Sequence, residues 1–174
     1  AEGVIRTAGT FNYEAKKTYN LYIRCNDSGG CENDDGVCVR DDPSGCLSPK
    51  CLGSCFRLFT VNVTDVNEPP TGLKLSHTRI KEEEPADTEV GIFAAQGDPD
   101  ADEIHTYTLV PGDGDADNAR FLIEENLLRT AEVFNFEDGT ETFYIRVRTE
   151  DSGGLFHEAE LTVTLEDIND PPSE

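Results

Sequence analysis

Two acidic segments of the chain crowd oxygen-bearing side chains together just before a pair of prolines. The first holds Asp65, Asn67 and Glu68 within four residues, and Pro69 and Pro70 follow at once. A nearly identical sequence, LEDINDPPSE, forms the last ten residues. Carboxylate and amide oxygens are ligands of hard cations such as Ca2+. Metal binding is therefore the chemistry that these residue types and their spacing indicate first.

The overall charge favours the same chemistry. Acidic residues number 36 and basic residues 14, which gives a net charge of −22 at pH 7. Nucleic acids and anionic membranes are therefore poor partners, whereas cations that neutralise the surface are favoured. A simpler interpretation is that the acidity only keeps the protein soluble. No apolar run reaches the roughly 18 residues of a membrane span, so we expect no membrane insertion by this segment.

The cysteines indicate an oxidising compartment. All six lie within 31 residues, in a segment rich in Gly, Asp, Ser and Pro, where disulfides are expected. Zinc is disfavoured because no histidine lies near them and no C-x2-C pair occurs. Glycosylation acceptor patterns at Asn26 and Asn62 agree with an extracellular or cell-surface location, reached through the secretory pathway. The six cysteines are Cys25, Cys31, Cys38, Cys46, Cys51 and Cys55.

Internal repeats divide the chain into two related units. IRTAGTFNYE parallels LRTAEVFNFE, IRCNDSGG parallels VRTEDSGG, and FTVNVTDVNEPPT parallels LTVTLEDINDPPS, in the same order. We expect residues 1–68 to be the C-terminal part of a first domain, incomplete at its N-terminus, with a Cys-rich insert at about 31–54. Residues 69–170 are expected to form a complete domain, and residues 171–174 to begin a linker to a following one.

The segments between turn signals alternate as β-strands do. In TFYIRVR, Phe143, Ile145 and Val147 share one face, and ELTVTL alternates in the same way. YNLYIR and FTVNV repeat the pattern in the first unit, with Asn62 on the outer face. Further strands are expected near 73–81, 89–95, 104–110, 121–123 and 127–130, and no segment shows convincing helical periodicity. Seven short strands in about a hundred residues predict an all-β fold of tandem Greek-key sandwiches.

Five motifs, taken together, resemble the cadherin repeat. DVNEPP and DINDPP are similar to its D-x-N-D linker, DPDAD to its D-x-D motif, and FNFE and FNYE to its L-D-x-E motif. IKEEEP and TEDSGG resemble the segments that supply a glutamate near the start of the repeat and an aspartate after its sixth strand. The resemblance covers residues 70–174 and, in the first unit, 5–30 and 55–69. It implies β-sandwiches whose loops bind calcium ions at the junctions between repeats.

The resemblance also implies which residues bind the ions. The ion held mainly by the second unit would be bound by Asp98, Asp100, Asp151, the Asn67 side chain and the Pro69 carbonyl. The other ions of that junction would depend on Asp65, Glu68, Glu14 and the neighbouring Asn12. The C-terminal junction would use Glu82, Asn135, Glu137, Asp167, Asn169 and Asp170, completed by a following repeat, and Asp27 points to the junction before the first unit. Asn12 and Asn135 replace the family's aspartate, which lowers the ligand charge.

One further acidic segment, DGDADNARFLIE, imitates a different calcium site. Asp113, Asp115, Asp117 and Glu124 fall at positions 1, 3, 5 and 12 of an EF-hand loop. An EF-hand needs a helix on each side, whereas the flanking HTYTLV and LLRTA have the composition of strands. We therefore expect an acidic loop between two strands.

The cysteine-rich insert has two interpretations. It is either a disulfide-stapled decoration without a partner, or a recognition loop whose staples preorganise a binding surface. Cys25 ends one strand and Cys55 opens its antiparallel neighbour, so the two are hypothesised to pair across the mouth of the hairpin. Six cysteines allow fifteen connectivities, and the pattern of the other four stays open.

The leading functional hypothesis is an extracellular, calcium-binding segment of a cell-surface adhesion protein, in which calcium makes the junction between repeats rigid. Its expected partners are neighbouring repeats of the same chain and a homophilic or heterophilic protein. One alternative is a structural spacer or filament subunit that is not itself adhesive, and another is an accessory module of a secreted enzyme. The chain itself is not expected to be an enzyme, because His77, His105 and His157 are scattered without triad or metal spacing.

Overall fold

A computed structural model describes residues 4–26, 54–100 and 102–169. The predicted ligands Asp27 and Asp170, and the cysteines between Cys25 and Cys55, lie outside the described residues. The chain divides into two compact units, residues 1–66 and 67–174.

The first unit is built on one antiparallel ribbon. Strand β1 is Thr18–Asn26 and strand β2 is Ser54–Asn62, and Thr18 lies opposite Asn62 in their register. The backbone N–H of Val63 extends the pairing by donating to the carbonyl of Lys17 at 2.9 Å. In β1 the partly buried Tyr19, Leu21 and Ile23 alternate with exposed residues, as expected for a strand.

The second unit is a sandwich of two four-stranded sheets. Its strands are β3 Gly72–Leu75, β4 Arg79–Lys81, β5 Glu89–Gln96, β6 Thr106–Leu109, β7 Phe121–Glu124, β8 Leu127–Thr130, β9 Thr142–Glu150 and β10 Phe156–Glu166. One sheet has the order β4-β10-β9-β6, and the other has the order β3-β5-β8-β7. Strand β4 runs parallel to β10, and all other pairs are antiparallel.

The inner faces of the two sheets form one hydrophobic core. Phe143, Ile145 and Val147 are fully buried, as their alternation predicts, and Phe93 and Phe121 face them from the other sheet. Burial of these apolar faces is the main favourable contribution to the stability of such a sandwich. The core residues are Leu75, Ile80, Val90, Phe93, Phe121, Leu128, Phe134, Phe143, Ile145, Val147, Val163 and Leu165.

The first ribbon repeats the pairing of β9 with β10. In the first unit Tyr19 lies opposite Val61. In the second unit Phe143 lies opposite Val163, at positions that the sequence repeat makes equivalent. The internal repeat therefore extends to the register of the backbone as well as to the sequence.

The predicted all-β fold is confirmed. Each predicted strand segment contains strand, but the segment 73–81 is interrupted at residues 76–78 and forms β3 and β4, which belong to different sheets, so the second unit has eight strands rather than seven. The helical segments among the described residues are two three-residue 3-10 turns, Asn118–Arg120 and Phe136–Asp138. The EF-hand-like segment runs from the loop after β6 to the end of β7, and strands β6 and β8, rather than helices, flank it. Within it, Asp117 accepts a hydrogen bond from the backbone N–H of Tyr144 at 2.8 Å, and Asp115 accepts one from Gly112 at 3.0 Å. These carboxylates thus order a loop between strands.

Candidate metal-binding sites

The end of the linker is bonded to two loops of the second unit. The Asn67 side-chain amide donates to Asp151 Oδ2 at 2.9 Å, and the backbone N–H of Glu68 donates to Asp100 Oδ2 at 2.9 Å. Asp100 lies in the loop after β5, and Asp151 lies just after β9. Because β5 and β9 belong to different sheets, the linker gathers loop carboxylates from both layers at one end of the sandwich.

Asp98 is tied to the same loop and to a histidine. Its Oδ1 accepts the backbone N–H of Asp100 at 3.0 Å, and its Oδ2 lies 2.7 Å from His105 Nε2. Both side chains are largely buried. The spacing of the histidines in the sequence does not predict the contact between His105 and Asp98. The contact is possible because only six residues separate the two in the segment before β6.

Asp151 is a buried but ionised carboxylate. The residue is 5% exposed, and its Oδ1 accepts the backbone N–H of Leu155 at 2.8 Å. Burial alone would raise the pKa of Asp151, but hydrogen bonds from the Asn67 side chain and from backbone N–H groups of the following turn outweigh it. The pKa is therefore lowered from its ordinary value. The Asp151 carboxylate is therefore negatively charged at neutral pH and available to a cation.

A second acidic group lies at the other junction predicted from the sequence. Glu82, Glu137 and Asp167 each offer a carboxylate oxygen within 4.8 Å of the others. Within the described part of the second unit, these three residues are the group of three carboxylates whose oxygens lie within 4.8 Å of one another. Asn135 supports it, because its Oδ1 accepts the backbone N–H of Glu137 at 2.7 Å. Asn169 is exposed just beyond Asp167.

Glu82 is the buried member of this group. It is 1% exposed, and its two oxygens accept the backbone N–H groups of Ile168 at 2.7 Å and Phe136 at 2.9 Å. The bond from Ile168, followed by that from Phe136, lowers the pKa of Glu82 against the opposing effect of burial. One carboxylate thus fastens both the strand end after β10 and the 3-10 turn Phe136–Asp138.

The first unit contributes its own pair of carboxylates. Glu14 and Asp65 each present an oxygen within 4.8 Å of the other. Asn12, next to them in sequence, accepts the backbone N–H of Ala15 through Oδ1 at 2.6 Å. That bond uses the Asn12 side chain as a local turn cap, which is a structural use for a residue predicted as a ligand.

The donor set fits a hard divalent cation. The grouped side chains offer carboxylate and amide oxygens, and the described residues at these positions include no thiolate. Ca2+ takes six to eight oxygens at about 2.3–2.6 Å, from carboxylates, amide carbonyls, backbone carbonyls and water. The residues present are therefore chemically suited to calcium.

The solved structures that resemble this chain are cadherin extracellular domains. Domains 1–4 of Drosophila N-cadherin match with a TM-score of 0.63 and 20% identity, over 92% of this chain and 37% of that one. Domains 3–6 of protocadherin gamma B2 match with a TM-score of 0.60 and 19% identity, over 94% of this chain and 36% of that one. The chain has the cadherin-like fold. A protocadherin gamma B7 structure of domains 3–6, described as a cis-dimer, is also similar, with a TM-score of 0.59 and 20% identity, over 94% of this chain and 36% of that one.

Among curated proteins, the cadherin-like chain is similar to protocadherin Fat 2 of Mus musculus. The two are 25% identical over 177 residues, which cover 98% of this chain and 4% of that protein. The chain thus spans a small part of its relative's length. No family model matches the sequence. None of the described residues belongs to a helix with the length and apolarity that a membrane span requires.

Proposed function

We propose that this chain is an extracellular, calcium-binding segment of cadherin-like repeats in a cell-surface adhesion protein, and that calcium makes the junction between its two repeats rigid. The observation that carries the proposal is the bonding of linker residues Asn67 and Glu68 to Asp151 and Asp100. The cadherin resemblance assigns these same loop carboxylates to calcium.

Calcium would act by neutralising clustered charge. Carboxylates that stand close together repel one another, and a net charge of −22 adds to that repulsion. A divalent cation bound to the native state stabilises it relative to states in which the ligands are apart. The calcium-loaded segment would therefore be a stiff rod, and the calcium-free segment a chain that bends at the linker.

The proposed ligands are those that the cadherin resemblance implies. Asp98, Asp100, Asp151, Asn67 and the Pro69 carbonyl would bind the ion held mainly by the second repeat. Asp65, Glu68 and Glu14, with Asn12 beside them, would bind the other ions of that junction. Glu82, Glu137, Asp167, Asn169 and Asp170 would serve the C-terminal junction, and Asp27 the preceding one. The proposed repeats are residues 1–68, with a cysteine-rich insert at about 31–54, and residues 69–170.

A thermal melt tests calcium binding. The wild type should melt at a higher temperature in calcium than in chelator, because a ligand that binds the native state stabilises it. Asp100→Ala should lose most of that difference. Asp113→Ala is the matched control, since it removes an aspartate from the EF-hand-like loop, and it should keep the full difference. Equal melting temperatures of the wild type in calcium and chelator would sink the calcium proposal.

Sedimentation in calcium separates adhesion from the spacer alternative. Calcium-dependent self-association of the chain would support a homophilic adhesive role. A chain that stays monomeric but becomes more compact in calcium would favour a spacer or filament subunit, or a heterophilic partner in place of self-association. Loss of the calcium effect in Asp100→Ala would show that any association depends on the proposed sites rather than on general screening of charge.

Disulfides and glycosylation belong to the same proposal. Cys25 lies opposite Cys55 in the register of β1 and β2, which supports a disulfide across the mouth of the ribbon. Asn62 is exposed at the end of β2, where a glycan could be accommodated, and Asn26 is the second acceptor. Non-reducing peptide mapping of secreted protein should recover Cys25 joined to Cys55, and enzymatic deglycosylation should reduce the mass. Recovery of Cys25 with any other cysteine would refute the pairing.

A further inference from the structure

The turn after β9 leaves a space that the linker fills. An ideal Cβ placed on Gly153 would lie 2.5 Å from Asn67 Oδ1, 2.6 Å from its Cγ and 2.7 Å from its Nδ2. Real Cβ atoms essentially never approach other atoms within 3.0 Å. Alanine at this position therefore cannot coexist with the Asn67 amide where it now lies.

Glycine is needed at position 153 because there is no room for a Cβ atom, and not because of the backbone conformation. Gly153 lies outside the left-handed region, so its backbone would accept an L-residue. The next residue is the converse case. Gly154 has φ +85° with nothing within 4 Å of an added Cβ, so glycine is needed there for its conformation. The two glycines of the DSGG segment thus have separate physical roles.

We infer that Gly153 is a positioning residue, which leaves the space in which protein contacts alone seat the Asn67 amide against the second repeat. The seated amide donates to Asp151 Oδ2 at 2.9 Å, and the neighbouring N–H of Glu68 donates to Asp100 at 2.9 Å. Both bonds join protein groups within the second compact unit, which begins at Asn67.

This seating has a consequence for calcium that rests on the proposed function. Asn67 and Asp151 are both proposed ligands, and a ligand already held in place loses less freedom on binding than a mobile one. Residues that orient metal ligands typically change metal affinity by about 10- to 100-fold when they are removed. Gly153→Ala should therefore weaken calcium binding by about that factor, although Gly153 offers no side chain to the ion.

The first test needs no calcium. In chelator, the side-chain amide protons of Asn67 should show nuclear Overhauser contacts to the Gly153 α protons and a fixed, non-averaged chemical shift. Gly153→Ala should move the amide resonances to the averaged position of a free asparagine. The control Gly9→Ala makes the same change in size where nothing lies within 4 Å of an added Cβ and φ is not positive, and should leave Asn67 unaffected. An unchanged Asn67 amide in folded Gly153→Ala would overturn the inference.

The second test is a double-mutant cycle on calcium affinity, measured by titration calorimetry. Gly153→Ala and Asn67→Ala should each weaken binding, and the double variant should be about as weak as Asn67→Ala alone, because coupled residues are not additive. Full additivity would show that Gly153 acts otherwise and would reject the inference. If the wild type binds no calcium, the proposed function fails, while the chelator experiment still decides whether Gly153 seats the linker.

Discussion

The hydroxyl of Thr130 accepts a hydrogen bond from the backbone N–H of Thr88 at 3.0 Å, at a position that is 2% exposed. The same hydroxyl lies 3.4 Å from the carbonyl oxygen of Pro85, to which it donates. Thr149, on β9, is 0% exposed, and its Oγ1 has no hydrogen-bond partner among the described residues. The core thus contains two buried threonines, of which one is satisfied and the other is not.

Valine should have opposite effects at these two positions. Thr149→Val replaces an unpaired buried hydroxyl by a methyl group of similar size, so stability should stay equal or rise by up to about 1 kcal/mol. Thr130→Val leaves the N–H of Thr88 without its acceptor and should cost about 1–3 kcal/mol. Urea unfolding of both variants in chelator measures the difference. A larger loss in Thr149→Val than in Thr130→Val would contradict the hydrogen-bond assignment.

Glu82 and Glu137 should separate folding from metal binding. Glutamine at position 82 has one carbonyl oxygen in place of two acceptors, so the N–H of Ile168 or of Phe136 loses its partner. Glu82→Gln should therefore lower the melting temperature even in chelator. Glu137→Gln, at an exposed residue of the same group, leaves both backbone bonds to Glu82 in place and should lower the melting temperature in chelator less than Glu82→Gln, or not at all. Equal melts of the two variants in chelator would argue against a structural role for Glu82.

Glu158 should make the second unit sensitive to acid. The guanidinium of Arg148, followed by that of Arg146, lowers the pKa of Glu158 below its ordinary value of 4.5, with nitrogen–oxygen distances of 2.7 and 2.8 Å. A group whose pKa is lowered on folding contributes stability above its unfolded-state pKa, and this contribution is lost as the pH falls through the folded-state value. Glu158→Gln should thus destabilise the protein at pH 7, and the gap to wild type should close below pH 4.5.

The control for the acid experiment is an exposed ion pair. Glu124 lies 3.2 Å from Arg129 with most of its side chain in solvent. Exposed pairs contribute about 0–1 kcal/mol, so Glu124→Gln should change the unfolding free energy little at either pH. A gap between Glu158→Gln and wild type that stays constant from pH 7 to pH 3 would assign the effect to packing instead of charge.

The strands and the core were predictable because alternation is a local property. The alternation of apolar and polar neighbours predicts that residues such as Phe143 and Val163 point into the core. The repeat also related distant segments, since Tyr19 pairs with Val61 as Phe143 pairs with Val163.

Contacts across long sequence separations were not predictable in the same way. The bond between Asn67 and Asp151 joins residues 84 positions apart, and the sequence indicates only that both can bind a cation. The proximity of His105 to Asp98 and the space that Gly153 leaves for Asn67 depend on three-dimensional placement, which no spacing rule supplies. The role of Asn12 as a turn cap was likewise not predictable, because the acidic motif that contains it indicates a metal ligand.

Arg120 should stabilise the aromatic part of the core through the faces of two rings. Its guanidinium carbon lies 4.6 Å from the ring centre of Phe134 and 4.5 Å from that of Phe143. The rings themselves are 4.6 Å apart, and Glu132 binds the guanidinium from the solvent side. A planar cation against aromatic faces contributes about 0.5–2 kcal/mol, depending on how far it is desolvated.

Arg120→Lys keeps the charge but loses the plane that covers the rings, and should cost about 0.5–2 kcal/mol in urea unfolding. Glu132→Gln removes the ion pair and leaves the stacking, so its cost should be smaller, at about 0–1 kcal/mol. Arg120→Met, which retains an apolar chain without the charge, should fall at or below the lysine variant in stability, because neither cation nor plane remains. If Glu132→Gln cost as much as Arg120→Lys, the ion pair rather than the ring contacts would account for the stabilisation by Arg120.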